Sequence, residues 1–369
     1  MNPFIITSYK SPDFFCNRNT ETDRLYSAVM NGRNMVLTSL RRMGKTGLIK
    51  HLFHLLEKKE DMYLFYIDIQ QTNNLNDFLN SLVNGLIKHQ KRTIFDKLLG
   101  FIKQFRPVLS FDPITGSPEV TIQNTTDAEN KASVESVFQY LENLDKKVVI
   151  AIDEFQTITE YPEKSVEAFL RSYIQHLHNV SFIFSGSSSH ILQSMFYSYN
   201  RPFYQSAEML NLDRLDKDVY SKFIYSHFTN TQRVINYDTI ERCLQWADNH
   251  TFYVQYLLNM LWGSGQKEID MELMLNTQKE IINSRTALYA NYQLLLSEKQ
   301  YKLLKAIALN NGIEKPNAGE FLTKYHLGAA STVNSAISVL MNKELLFREK
   351  NIYKVYDVFL RRWFQMTKI

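Results

Sequence analysis

Asn34-Met35-Val36-Leu37-Thr38-Ser39-Leu40-Arg41-Arg42-Met43-Gly44-Lys45-Thr46 is the stretch on which the reading of this chain turns. Its first five residues make a short apolar run suited to a buried strand. Beyond it, Leu48, Ile49, Leu52, Phe53, Leu55 and Leu56 recur at helical spacing. A loop joining a strand to a helix turns successive backbone N–H groups, and the helix N-terminus, onto phosphate oxygens. In that arrangement Lys45 reaches the β- and γ-phosphates and the Thr46 hydroxyl ligates Mg2+. Ser39 stands where the full pattern wants Gly, five residues before Gly44, so the nest of N–H groups is expected around Met43–Thr46. The nucleotide-holding set expected here is Ser39, Arg41, Arg42, Met43, Gly44, Lys45, Thr46 and Gly47. Of the two arginines, one is expected on phosphate or a partner and the other in solvent.

Working outward, strands alternate with helices. Met62–Asp68 reads as a strand, and Phe78, Leu79, Leu82 and Leu86 as a helix. Pro107–Ile122 reads as a hairpin around a Thr115-Gly116 turn. A helix over about 134–144 leads into the apolar strand Val148-Val149-Ile150-Ala151-Ile152, and one over 165–177 into Ser181–Ser185. Parallel strands need helical crossovers, so this order predicts a parallel α/β sheet. Asp153 and Glu154 end an apolar strand, where an α/β sheet binds its ligands. Asp153 is placed to hold hydrated Mg2+ and Glu154 to polarise an attacking water; the alternative for Asp153 is a helix N-cap. Ser185 or Ser187 would hydrogen-bond the γ-phosphate or its water, or form a polar loop. Arg201 would neutralise charge on a transferring phosphoryl group, in cis or from a neighbouring subunit, or serve as a salt-bridge residue. Gly186-Ser187-Ser188-Ser189-His190 lacks the nucleophile elbow, which excludes serine-hydrolase chemistry. His51 and His54 have metal-ligand spacing without a carboxylate or Cys partner, so they read as a surface or packed pair.

Past Leu210 the pattern turns helical to about Ser297. The last 70 or so residues then read as helix, helix, break at Gly328, helix and a short strand pair, the winged-helix order. The expected organisation is a core over 1–210, a helical lid over 211–297 and a winged helix over 298–369. From Glu298 onward 12 Lys/Arg face six Asp/Glu, a local +6 in a chain of net +4. That asymmetry points to an anionic partner for this part, or to a solvated basic face. Apolar residues at 44% and charged residues at 22% exclude a disordered chain. The longest apolar runs are far short of a membrane span. The start, Met-Asn-Pro-Phe-Ile-Ile-Thr-Ser, carries no secretory pattern, and Cys16 and Cys243 make no disulfide framework. A cytoplasmic protein without membrane contact is the expectation.

These stretches together resemble the archaeal-type P-loop ATPase family, related to the STAND and AAA groups and distantly to origin-recognition ATPases. Phe15-Cys16-Asn17-Arg18-Asn19-Thr20-Glu21 resembles its adenine-side box, with Arg18 and Glu21 at the charged places. Arg41-Arg42-Met43-Gly44-Lys45-Thr46 resembles its phosphate loop, Ile152–Gln156 its acidic box, and Phe182–Ser187 its sensor strand. Trp246–Leu257 resembles its lid segment, with Asn249 and Thr251 where Gly and Pro are more usual. Val355–Trp363 resembles its closing Asp-x-Phe-x-Arg-x-Trp stretch.

The resemblance implies a P-loop NTPase core with an AAA-like parallel sheet, an all-α lid and a C-terminal winged helix. It implies ATP and Mg2+ as ligands, with ATP between core and lid. The catalytic set is then Glu154, Lys45, Arg201 and Ser185, the cofactor-binding set gains Arg18, Asp153 and Ser187, and Thr46 and Asp153 serve the metal. A slow, switch-like ATPase is the leading function. Alternatives are a DNA-associated ATPase and a nucleotide-binding interaction module that hydrolyses little. Ala330–Ser338 occupies the recognition-helix place with a Ser/Thr/Asn face, and Arg348, Lys350 and Lys354 sit on the wing. This domain would contact DNA, a protein partner or another copy of the chain.

Overall fold

A computed structural model describes residues 1–88, 100–105, 107–111, 116, 118–124, 126–187 and 189–367. Its strands are β1 (Met35–Thr38), β2 (Tyr63–Asp68), β3 (Val108–Phe111), β4 (Pro118–Thr121), β5 (Val148–Asp153), β6 (Val180–Gly186) and β7 (Glu208–Asn211). Five of them form one parallel sheet in the order β2-β5-β6-β1-β7. The edge strand β7 is not legible in the sequence pattern, because only Leu210 of its four residues is buried. β3 and β4 form the expected hairpin; Thr115 of its turn lies outside the described residues.

The unbroken apolar runs follow from burial on both faces. Along β5, Val148, Ile150 and Ile152 enter one core with Phe65, Ile67, Phe182 and Phe184, while Val149 and Ala151 enter the other with Met35, Leu37 and Ile183. Side chains alternate across a strand, so a doubly covered strand reads as continuous apolar sequence. Each fully buried Ile or Phe contributes about 1.5–3 kcal/mol by leaving water. Helices α1 (Asn19–Met30) and α2 (Lys45–Lys59) supply residues to the second core, and α3 (Leu75–Ile87) to the first. The α3 side chains Asn80 and Asn84 each bond both backbone groups of a hairpin residue, at Ile122 and Val120.

Thr7–Arg214 is one compact unit, and Met1–Ile6 with Leu215–Ile369 is a second. In the second unit Phe4 is fully buried against Phe228 and Trp262, and Asn2 and Asn259 exchange bonds with each other's neighbourhoods. The helices Lys217–Thr229, Tyr237–Trp246, Thr251–Gly263 and Met271–Asn283 come first, with the parallel pair β8 (Val234–Ile235) and β9 (Glu268–Ile269) among them. The winged helix follows as Glu298–Leu309, Gly319–Tyr325, Ala330–Asn342, the hairpin β10 (Leu346–Glu349) and β11 (Ile352–Val355), and a closing helix Val358–Met366.

That closing helix is tied to the lid segment. Asp357 caps it by accepting from Phe359 N and Leu360 N, and accepts from the Tyr289 hydroxyl as well. Phe359 packs against Trp246, Tyr253 and Tyr256. Arg361 is buried beside Asp248, and Arg362 donates to Gln245 O and Trp246 O at the end of helix Tyr237–Trp246. Burial, with Arg361 adjacent, pulls Arg362 down to about 10, against the opposing Asp248 carboxylate. These contacts explain why the helices from Leu215 onward and the winged helix share one compact unit. They also refine the charge reading: Arg361 is buried beside Asp248 and Arg362 is partly buried on the Trp246 carbonyl, so these two cations do not belong to an open basic face, while Lys368 lies outside the described residues.

Candidate nucleotide site at the phosphate loop

β1 runs into a loop with Arg42 at φ 60° and Gly44 at φ 99°. The left-handed backbone at Gly44 favours glycine, and a Cβ built there would meet nothing within 4 Å. The demand is therefore conformational, and the space in front of the loop is open. α2 begins at Lys45, so its first-turn N–H groups, lacking partners within the helix, border that space. Met43 is buried in the core. The buried Lys45 Nζ donates to Ser39 Oγ at 3.2 Å, and Ser39 donates in turn to Leu40 O at 2.6 Å. Ser39, in the place of the expected Gly, thus gives the lysine a neutral partner. Burial lowers the Lys45 pKa, opposed by the Asp153 and Glu154 carboxylates, with Arg41 adding to the lowering.

Asp153 is the hub. Its Oδ2 accepts from Thr46 Oγ1 at 3.0 Å and from the Tyr66 hydroxyl at 2.5 Å. Its Oδ1 accepts from Ser185 Oγ at 2.6 Å and from Glu154 N at 3.1 Å. The N-cap alternative does not hold: the short helix that follows has Glu154 as its N-cap. Ser185 therefore holds Asp153. Glu154 itself is at φ 55°, and its Oε2 accepts from Ser187 N (3.1 Å), Ser187 Oγ (2.9 Å) and Gln156 Nε2 (2.5 Å). Arg41 Nε donates to the same Ser187 hydroxyl at 3.2 Å, linking phosphate loop to acidic box.

Three residues in or beside this network have roles that escape sequence reading. Tyr66 looks like one more apolar strand residue, Gln156 like a turn polar group, and Asp68 like a strand end. Sheet register brings Asp68 opposite Asp153. Burial pushes the Asp68 carboxyl up, Gln70 N–H opposes, and Asp153 and Glu154 add to the rise. The available signal was Tyr66-x-Asp68, two polar-tipped side chains on one face at a strand's C-terminal end.

The N-terminal box lies against α2: Phe15 stacks on His51 at 4.4 Å, and its ring is 3.5 Å from a Cβ built at Gly47. His51 also hydrogen-bonds the Tyr9 hydroxyl at 3.1 Å, which makes it a packed histidine, lowered in pKa by burial and by His54. Among the described residues no group of three or more His, Cys, Asp and Glu is arranged to hold a metal. Arg18 is buried at φ 69° and paired with Glu21 at 2.9 Å; its Nη2 is buried without a partner. Arg201 pairs with Glu167 on helix Val166–Ile174, the salt-bridge alternative, and none of its described contacts reaches the Lys45–Asp153–Glu154 set. Arg42 is exposed, and Ser188 lies outside the described residues.

A phosphate loop, a buried lysine and a Thr–Asp pair on a parallel sheet define a P-loop NTPase. The family described as ATPase domain predominantly from Archaea matches residues 15–260, and a family described as Probable winged helix domain matches 287–366. The first match spans about two thirds of the chain, and the protein belongs to that archaeal-type ATPase family. Among solved structures it is similar to the Walker-type ATPase of Pyrococcus abyssi, at 17% identity over 98% of this chain and 99% of that one, TM-score 0.68. The Aeropyrum pernix ORC2 protein, solved as ADPNP–ADP complexes, is similar at 15% identity over 99% and 98%, TM-score 0.58. The ORC1 protein of the same organism, solved in complex with DNA, is similar at 13% over 96% and 94%, TM-score 0.54. At these identities the likeness speaks for the fold. A comparison with curated protein sequences gave no match. Among the described residues no helix is long and apolar enough to cross a membrane.

Proposed function

We propose that this protein binds ATP with Mg2+ at the β1–α2 loop and hydrolyses it slowly, as a nucleotide-driven conformational switch. The observation carrying this reading is the convergence of two hydrogen-bonded groups, Lys45 with Ser39 and the chain Arg41–Ser187–Glu154–Asp153–Thr46, with the Asp153 and Glu154 carboxylates acting electrostatically on Lys45. Lys45 exchanges Ser39 for a phosphate oxygen. Thr46 donates its hydroxyl hydrogen bond to Asp153, which leaves the hydroxyl lone pairs for Mg2+. When bound, the metal neutralises charge on the phosphates. Glu154 orients and polarises the attacking water, with Ser187 and Gln156 fixing its carboxylate. In this reading 1–210 is the nucleotide core, and the lid at 211–297 and winged helix at 298–369 read out γ-phosphate occupancy.

The test pairs two variants. Lys45→Ala removes the cation aimed at the phosphates and weakens ATP binding; Glu154→Gln keeps binding and lowers turnover by about 10²–10⁴-fold. Parent-like ATP affinity in Lys45→Ala refutes the loop assignment.

A second reading, a DNA-associated ATPase, draws on the exposed Ser331, Asn334, Ser335 and Ser338 of helix Ala330–Asn342, beside the exposed wing residues Arg348 and Lys350. Duplex DNA binding whose affinity is flat in salt, or absent at low salt, refutes it.

A further inference from the structure

We infer that Tyr66 is a specificity-determining residue of the metal site: its hydroxyl keeps Asp153 from binding the metal directly and so selects Mg2+ over Ca2+. This rests on the proposed ATP–Mg2+ reading of the site and assigns a role within it.

A carboxylate has about four lone-pair sites. All four of Asp153 are taken, two on Oδ2 by Thr46 and Tyr66 and two on Oδ1 by Ser185 and Glu154 N. Three of these donors belong to the motif itself or to its adjoining strand. The fourth comes from a side chain of β2, which flanks β5 and is separated from β1 by both β5 and β6, and nothing in a phosphate loop requires it. The 2.5 Å contact from Tyr66 is also the shortest of the four.

Saturating Asp153 leaves Thr46 as the metal's direct protein ligand, with Asp153 acting through the Thr46 hydroxyl. That division suits Mg2+, which gives up its waters reluctantly and keeps several of them. It does not suit Ca2+, which takes six to eight oxygens and favours carboxylates. Deleting the phenol oxygen opens one Oδ2 lone pair on the Thr46 side of the carboxylate, where a larger, ligand-hungry cation gains most. The ring of Tyr66, with Lys50 Nζ 5.6 Å from its centroid, is kept in Tyr66→Phe, so packing is preserved.

The experiment titrates a fluorescent, slowly hydrolysed ATP analogue into parent, Tyr66→Phe and Lys45→Ala, each with Mg2+, with Ca2+ and with chelator. The parent binds more tightly with Mg2+ than with Ca2+, and Tyr66→Phe narrows that ratio about tenfold, mainly by improved binding with Ca2+. Affinity in chelator is the same for both, which a general loosening of the site would not leave. With Mn2+ as a probe, oxygen-17 water broadening in electron paramagnetic resonance counts one fewer metal-bound water in Tyr66→Phe. An unchanged Mg2+/Ca2+ ratio and water count, in a parent that prefers Mg2+, overturn the assignment to Tyr66 alone. A parent that binds no analogue, or that binds it no better than Lys45→Ala, overturns the phosphate-site reading and this assignment with it.

Discussion

Replacing Gly186 with Ala places a Cβ 1.9 Å from Gln156 Oε1 and 2.8 Å from Leu192 Cδ1. The Gly186 backbone is ordinary strand, so the chain itself accepts Ala and the whole cost falls on the neighbours. Gln156 must swing away, which breaks its bond to the Glu154 carboxylate, a loss of about 1.5–3 kcal/mol for a hydrogen bond to a charged group. Leu192 is fully buried, and crowding it costs about 1–3 kcal/mol. Restricting the unfolded chain returns about 0.4–1 kcal/mol. The net is a destabilisation of about 2–5 kcal/mol, or roughly 5–15 °C in Tm for a unit of this size. Turnover falls with it, because Glu154 loses one of three donors, while ATP affinity stays, because Lys45 and Thr46 are untouched. Thermal unfolding, analogue titration and phosphate release on one preparation read all three. Gln156→Ala makes room, so in that background Gly186→Ala costs only the Leu192 part. Fully additive costs in the double variant, or a Gly186→Ala protein with parent Tm and turnover, refute the argument.

Other expectations follow from single contacts. If Arg201 acts as a finger, Arg201→Ala lowers kcat about 10³-fold while Glu167→Gln, which frees Arg201, does not; equal and small kinetic effects with a shared loss of stability leave it a structural pair. On the wing, Lys354 is occupied by Glu349, so Arg348 and Lys350 give a log–log salt slope for duplex binding of about −2, and neutralising both flattens it. The fold holds His51 neutral, so its contribution to stability is full above about pH 6.5 and is lost as pH falls through that value towards the lowered folded pKa. The unfolding midpoint of His51→Phe should therefore gain on the parent between pH 7.5 and 5.5, and parallel curves would refute this.

The legible part of this molecule is the part whose residues are neighbours in sequence. Met35–Thr38 followed by Gly44-Lys45-Thr46, or Val148–Ile152 followed by Asp153-Glu154, each states strand, turn and chemistry in one line. What joins those lines was not legible, because sheet register does the joining. Ser185, expected on phosphate or in a loop, meets Asp153 across the β5–β6 pair; Tyr66 meets it across β2–β5. Two of the positive charges of the C-terminal region have partners that were not legible for the same reason. Arg361 and Arg362 look like surface cations until the chain folds back about 115 residues to Asp248 and Trp246.

That long return has a consequence during synthesis. Helices Tyr237–Trp246 and Thr251–Gly263 leave the ribosome well before Phe359, Arg361 and Arg362, the side chains that cover Trp246, face Asp248 and cap the Trp246 carbonyl. At about 5–20 residues per second, these helices wait roughly 5–25 s with an aromatic face open to water. The phosphate-loop unit, whose last strand ends at Asn211, can fold in the meantime. A stop codon at the start of the final helix, before Phe359, then yields a chain with a finished core and an unfinished remainder, which quality-control proteases would recognise by its exposed aromatics.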